Sequence, residues 1–291
     1  MTFSDSHRPS FLWRLGAFVR FSHTVFALPF ALISMLVAGN GRVSLLILGW
    51  ILVCMIAART AAMCFNRLMD WELDKENPRT IDRHQLITKR QGWIVLVSSS
   101  LIAIAASWEL NPFCFRFSPL MLAIIFFYSL TKRFTAFSHL FLGIALGVAP
   151  LGAWAAVRGS LFSSPEPFFL AAAVITWTFG FDLIYSTLDT EFDRKKGLFS
   201  FPSRYGIPAS LTLAKGLHIV AILCFATFGK VTALGPAYWA ATGISALALI
   251  WEHRLAKSPD PGKVNQAFFQ INALVSITLL LGVCASLYLF R

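Results

Sequence analysis

Charge is what this sequence has least of. Only 13% of its 291 residues are Asp, Glu, Lys or Arg, 57% are hydrophobic, and the mean hydropathy is +0.67. A soluble domain carries about a quarter charged residues, so the composition excludes an ordinary soluble globule and places the chain in a bilayer. Acids are scarcer still, 14 against 25 Lys and Arg. The five cysteines (Cys54, Cys64, Cys114, Cys224, Cys284) stand singly in apolar stretches, with no CxxC and no Cys/His metal spacing. That excludes a thiolate metal centre and leaves them as small apolar side chains. Alternating ten-residue segments are missing, which excludes a β-barrel. No repeat of fixed short period and no low-complexity linker occurs. The opening stretch "MTFSDSHRPSFLWRLGAFVR" has no short apolar core ending in small residues. No cleavable leader is therefore expected, and the first apolar run should persist as a helix.

What is present is a series of apolar runs, at roughly 17–38, 44–69, 91–108, 114–131, 135–157, 167–188, 207–228, 231–251 and 267–290. Each approaches the ~20 residues that cross a membrane as a helix. The expected fold is an all-α integral membrane protein of about nine spans in a single domain over 1–291. With nine spans, Arg42, Arg116, Arg158, Lys230 and Arg291 fall on one side, and Arg59 and Arg67 lie inside the second helix. The remaining eighteen of the 25 Lys and Arg gather on the other side, which should be cytoplasmic. These short basic clusters between apolar runs account for the net charge of +11. They indicate a lipid bilayer and an anionic substrate as partners, and no nucleic acid.

The scarce acids are not scattered. "NRLMDWELDKENPRT", residues 66–80, closes the second apolar run and reads Asn66-x3-Asp70-x3-Asp74. At ~100° per residue these three stay on one helical face, over ~12 Å of axis. The sixth run ends, on the same side, in "FDLIYSTLDTEFDRKKG", where Asp182, Tyr185, Asp189 and Asp193 again share a face. Glu72 and Glu191 lie off these faces and read as solvated. One such cluster could be a solvated helix end. Two on one side, the first led by Asn66, read instead as oxygen ligands for a hard cation such as Mg²⁺. Lys75, Arg79 and Arg83 follow the first cluster, Arg194, Lys195 and Lys196 the second, and Lys132 and Arg133 end the fourth run. Carboxylates that hold Mg²⁺ beside Arg and Lys match the needs of a diphosphate. Most of these cations also suit an ordinary positive-inside role; Arg79 stands out because "NPRT" is a shaped turn. Arg59, seven residues before Asn66, shares its face at hydrocarbon depth. It either pairs structurally with a buried acid or carbonyls, or faces a cavity and receives an anionic group such as a carboxylate.

These motifs resemble the two Asp-rich motifs of the UbiA superfamily of intramembrane prenyltransferases. The likeness extends to "RFSHTVFALPF" on the first helix and "FPSRYG" after the sixth, and is greatest to the branch containing 4-hydroxybenzoate polyprenyltransferases and their menaquinone-pathway relatives. It implies nine helices around a central cavity capped by cytoplasmic loops, in a bacterial inner membrane. It further implies a polyprenyl diphosphate donor bound through Mg²⁺ and an aromatic acid acceptor of quinone biosynthesis. By position, Asn66, Asp70 and Asp74 would serve the first metal motif, and Asp189 and Asp193 the second. Asp182 and Arg59 match an acid and an arginine that precede them. Arg79, Tyr128, Lys132, Arg133, Tyr185, Arg194 and Lys195 complete the expected substrate contacts. The chain departs from the family's usual pattern in reading Asn66-Arg67 for Asn-Asp and Arg83-His84 for Arg-Pro. A bicyclic acceptor of the menaquinone pathway stays open. A cation-coupled transporter is disfavoured, because its site would lie near the midplane. A CDP-alcohol phosphotransferase is disfavoured because its DGxxAR motif is missing.

Overall fold

The computed structural model describes residues 9–20, 24, 26–77, 80–258 and 260–289. It is helical throughout, and the order of elements is α1 (Phe11–Phe18), α2 (Leu28–Ala38), α3 (Leu45–Met69), α4 (Trp71–Glu76), α5 (Lys89–Leu110), α6 (Pro112–Thr131), α7 (Ser138–Arg158), α8 (Glu166–Ser186), α9 (Thr190–Lys195), α10 (Phe201–Tyr205), α11 (Ile207–Val231), α12 (Pro236–Leu255), α13 (Pro261–Gln266) and α14 (Asn272–Tyr288). Among the described residues seven helices are long and apolar enough to cross a membrane. The fully helical ladder is what a bilayer demands, since no water there satisfies a free backbone N–H or C=O.

The first apolar run, expected as one helix over 17–38, departs from that reading. Only the eleven residues of α2 form its apolar part, and α1 is separate. Pro29 sits in the first turn of α2, where its missing N–H costs nothing and its fixed φ starts a helix. Ahead of it, Arg20 adopts a positive φ of 46° and ends α1. Elsewhere boundaries follow local chemistry. Thr88 and Gln91 form a reciprocal capping box on α5. Asn111 caps α6 through Cys114 N–H while its amide donates to the Ala155 carbonyl at 2.9 Å, tying α6 to α7.

The helices pack in sequence around a ring, α3–α5–α6–α7–α8–α11–α12–α14, and α14 returns to α2, which lies against α7. Lipid is as apolar as leucine, so this packing rests on close fit and small residues rather than on expulsion of water. The α7–α8 seam shows it best. A Cβ on Gly143 would stand 2.5 Å from the Ile175 carbonyl oxygen, and one on Gly147 2.6 Å from the Ile175 side chain. Inside the ring, Phe30 stacks on Phe225 with centroids 5.6 Å apart and meets Trp177 edge-on at 5.1 Å.

Candidate functional site

The first acidic motif does not lie on one continuous helix. α3 ends at Asp70, which is both its C-cap and the N-cap of α4. A single turn there keeps the ladder going, with Asp74 N–H donating to the Asp70 carbonyl at 2.7 Å. The second motif is interrupted likewise: α8 stops at Ser186, a tight turn covers Thr187–Asp189, and α9 starts at Thr190. The spacings 66-70-74 and 182-189-193 therefore each run from the end of a long helix into a short one, α3 into α4 and α8 into α9.

The two motifs meet at one end of the bundle. Asn77, just beyond α4, donates from Nδ2 to Asp189 Oδ1 at 3.5 Å. Lys196, just beyond α9, forms an ion pair with Glu76. Lys132, at the end of α6, is held above the usual lysine range. Its burial alone would lower it, and Asp193, Tyr128, Asp189 and Asp182 together outweigh that. The Lys132 carbonyl also accepts from Phe199 N–H at 2.8 Å, fixing the loop after α9 against the end of α6.

The acids differ in their surroundings. Asp74 is clamped between two arginines, Arg83 at 2.9 Å and Arg67 at 3.8 Å, and Arg67 also reaches Asn66 Oδ1 at 3.4 Å. Asp70 lies 3.8 Å from Arg133, whose guanidinium donates to the Met69 carbonyl at 2.7 Å. Burial pushes the Asp70 carboxyl above the usual aspartate range, against the opposing pull of Lys132. Asp193 is 3% exposed, and its Oδ2 is buried with no hydrogen-bond partner among the described residues. Asp182 Oδ2 lies 2.6 Å from Nδ1 of His139, on the facing helix α7. Tyr185 stacks on Phe268 at 4.1 Å. Arg194 and Lys195 are exposed, with Arg194 3.5 Å from the Ser203 carbonyl. Arg79 lies outside the described residues.

Behind this polar end lies a cavity of about 220 Å³ between α3, α5, α6 and α7. On α3 its lining runs from Ile51 to Met63, ~18 Å of helix. Its walls are almost wholly apolar, with Arg59 the one charged residue among those that line it and Tyr128 beside the polar end. Among the described residues Arg59 makes one long hydrogen-bond contact, 3.5 Å to the Arg20 carbonyl, and its Nε is buried without a partner. That arrangement suits the cavity-facing alternative better than a structural pairing with a buried acid.

Among the described residues, no three His, Cys, Asp or Glu side chains converge on one point as a closed metal cage. The donor set is nonetheless of the right kind: hard carboxylate oxygens, one buried and unpartnered on Asp193. A small divalent cation that keeps its waters and shares phosphate oxygens needs only one or two protein carboxylates. Arg67, Arg83, Asn77 and His139 belong to this site although the motif spacing did not select them. The intramembrane rule for ionisable residues applied to His139 would have.

Comparison with known proteins bears on the family and the fold. A 4-hydroxybenzoate solanesyltransferase from Synechocystis sp. is 29% identical over 258 residues, covering 87% of each chain. The apo structure of a UbiA homologue from Aeropyrum pernix K1 superposes with a TM-score of 0.82 and 32% identity, over 90% of this chain and 97% of that one. A UbiA homologue from Archaeoglobus fulgidus, solved with GPP and Mg²⁺ bound, has a TM-score of 0.66 and 18% identity, over 93% and 99%, and shares the fold. The match to the UbiA prenyltransferase family runs from residue 27 to residue 274, through both acidic motifs and the cavity between them, and the chain belongs to that family.

Proposed function

We propose that this prenyltransferase moves a polyprenyl group from its diphosphate to a ring carbon of an aromatic acid, 4-hydroxybenzoate or a close analogue, in quinone biosynthesis. One observation carries the reading. A diphosphate-suited cluster of acids and bases stands beside an apolar cavity whose lining holds a single charge, Arg59, and Tyr128, which lines that cavity, is within electrostatic reach of Asp182, Lys132 and Asp70. A transporter would need no such pairing of a phosphate end with an apolar slot. The names of the relatives support 4-hydroxybenzoate and long prenyl chains.

In this reading Asp70, Asp189 and Asp193, with Asn66 and Asp74, hold Mg²⁺ against the donor's diphosphate. Held by these residues, a divalent cation would supply counter-charge to the diphosphate leaving group. Lys132, Arg133, Arg67 and Arg83 orient the diphosphate oxygens, with Arg83 shared between Asp74 and the ligand. The prenyl tail lies along the apolar wall of α3, and water is excluded from the allylic end. Arg59 receives the acceptor's carboxylate and so aims its ring. The allylic C–O bond breaks with its electron pair leaving on diphosphate, and a ring carbon of the phenol forms the new C–C bond. The proton on that carbon then passes to the Asp182 carboxylate, and its bonding pair restores the aromatic ring. The polar end faces the cytoplasm of a bacterial inner membrane in this proposal, by the charge asymmetry of the loops.

The test is direct. Membranes holding the protein, given labelled polyprenyl diphosphate and Mg²⁺, should convert 4-hydroxybenzoate or a dihydroxynaphthoate to a lipid-soluble product. If neither is prenylated while an ion gradient drives solute uptake, the proposal fails.

A further inference from the structure

The mechanism above does not use the buried imidazole of His139. Its side chain is fully buried in the first turn of α7, and Nδ1 stands 2.6 Å from Asp182 Oδ2. An ionised carboxylate only accepts, so Nδ1 carries the hydrogen and donates it. Nε2 is buried with no partner among the described residues. A fully buried histidine with one nitrogen left orphaned is costly in a membrane interior, and its one short bond goes to the Asp182 carboxylate.

The backbone holds this pair rigidly. His139, Gly143 and Gly147 recur every four residues on one face of α7, and that face meets α8. Gly143 and Gly147 lie against Ile175 so closely that no Cβ fits. This fixes the register that brings His139 to Asp182. Asp182 in turn stands within electrostatic reach of Tyr128, which lines the cavity, and of Lys132, which faces Asp189 and Asp193. The carboxylate is thus at the junction of the phosphate end and the apolar chamber. With Oδ2 taken by the imidazole, Oδ1 is the oxygen left for chemistry.

We propose that His139 is the positioning residue of the proton-accepting carboxylate: by holding Asp182 Oδ2 it presents Oδ1 to the ring carbon being prenylated. The inference rests on the reading of the cavity as a site of aromatic prenylation. His139 touches no substrate in this scheme, and it sets the angle and reach of the base.

Two variants test it in the intact protein. H139N keeps an N–H donor near the position of Nδ1, and H139F removes it at similar size. For H139F, kcat should fall about 10- to 100-fold, the cost of a misplaced base. KM for the prenyl diphosphate should stay unchanged, and H139N should recover most of the rate. Ring-deuterated acceptor gives the decisive readout. Proton loss becomes slower relative to C–O cleavage when the base is misplaced, so the isotope effect on kcat should rise in H139F and return in H139N. Should H139F fail to fold, the same isotope measurement on H139N against wild type and D182N decides: H139N must lie near wild type and D182N must show the raised effect. Wild-type turnover with unchanged kcat and isotope effect in H139F, or an H139N that behaves as D182N, overturns the role of His139 alone. If the wild-type protein prenylates neither 4-hydroxybenzoate nor a dihydroxynaphthoate, the functional reading fails and this inference with it.

Discussion

Replacing Arg59 by alanine separates the two ends of the cavity. Among the described residues Arg59 is the one charged residue in the cavity's lining, and its hydrogen bonding amounts to a single 3.5 Å approach to the Arg20 carbonyl. An anionic acceptor seated in that chamber would find its counter-charge only there. Truncating one member of a desolvated, hydrogen-bonded charge pair costs about 2–5 kcal/mol. At about 1.36 kcal/mol per decade, acceptor KM should rise from about 30-fold to a few thousand-fold. Donor binding should be spared, because Asp70 lies eleven residues further along the same helix, ~16 Å away. Stability should change by no more than ~1 kcal/mol, the usual worth of the one weak hydrogen bond lost. The assay varies acceptor at saturating donor and Mg²⁺, and compares each acid with its carboxamide. Wild type should prefer the acid by about the same factor that the variant loses, and R59A should treat acid and amide alike. An acceptor KM within threefold of wild type, or a preference for the acid that survives in R59A, would refute the assignment.

Asp70→Ala and Asp189→Ala should each abolish turnover with the folded protein retained, as judged by thermal unfolding in detergent; full activity in both would remove the metal assignment. Burial holds the Asp70 carboxyl above its ordinary range, and a proton must leave before that group takes a divalent cation. The Mg²⁺ affinity measured through donor binding should therefore weaken as pH falls, beginning at a pH above the ordinary aspartate range, and Asp70→Asn should flatten the dependence. Gly143→Ala places a methyl 2.5 Å from the Ile175 carbonyl oxygen. It should cost about 1–3 kcal/mol in unfolding and lower kcat by pulling His139 from Asp182, whereas unchanged stability would show that the α7–α8 seam can yield. Arg83→Gln frees Asp74 from its 2.9 Å ion pair and should raise donor KM about tenfold or more, with acceptor KM unmoved.

The legible parts of this protein are those that depend on one-dimensional pattern. Apolar run length located α3, α5, α6, α7, α8 and α11, and the echo between 66–74 and 182–193 picked out two acidic clusters that the fold brings to one end of the bundle. Periodicity failed where a helix stops: Asp70 and Thr187–Asp189 break their helices, and a regular 100° step cannot show that. The same limit overstated the first span, where the helix expected over 17–38 keeps only the eleven residues of α2. What a pattern cannot contain is a partner from elsewhere in the chain. Arg83 read as one more loop cation until its 2.9 Å contact with Asp74 set it apart. His139, seven residues after Lys132, read as part of a greasy helix although it bonds a carboxylate 43 residues away. Arg67 looked like a departure from the usual Asn-Asp. In place it bridges Asn66 and Asp74 as a buried cation. With Arg83 it leaves the first motif with two guanidiniums already on Asp74 before any cation arrives. In the proposed cycle, Mg²⁺ would compete with Arg67 and Arg83 for Asp74 while the diphosphate competes with Asp74 for the two arginines, and turning these arginines from the carboxylate to the phosphate is how this end of the molecule would exchange an internal charge pair for a bound donor.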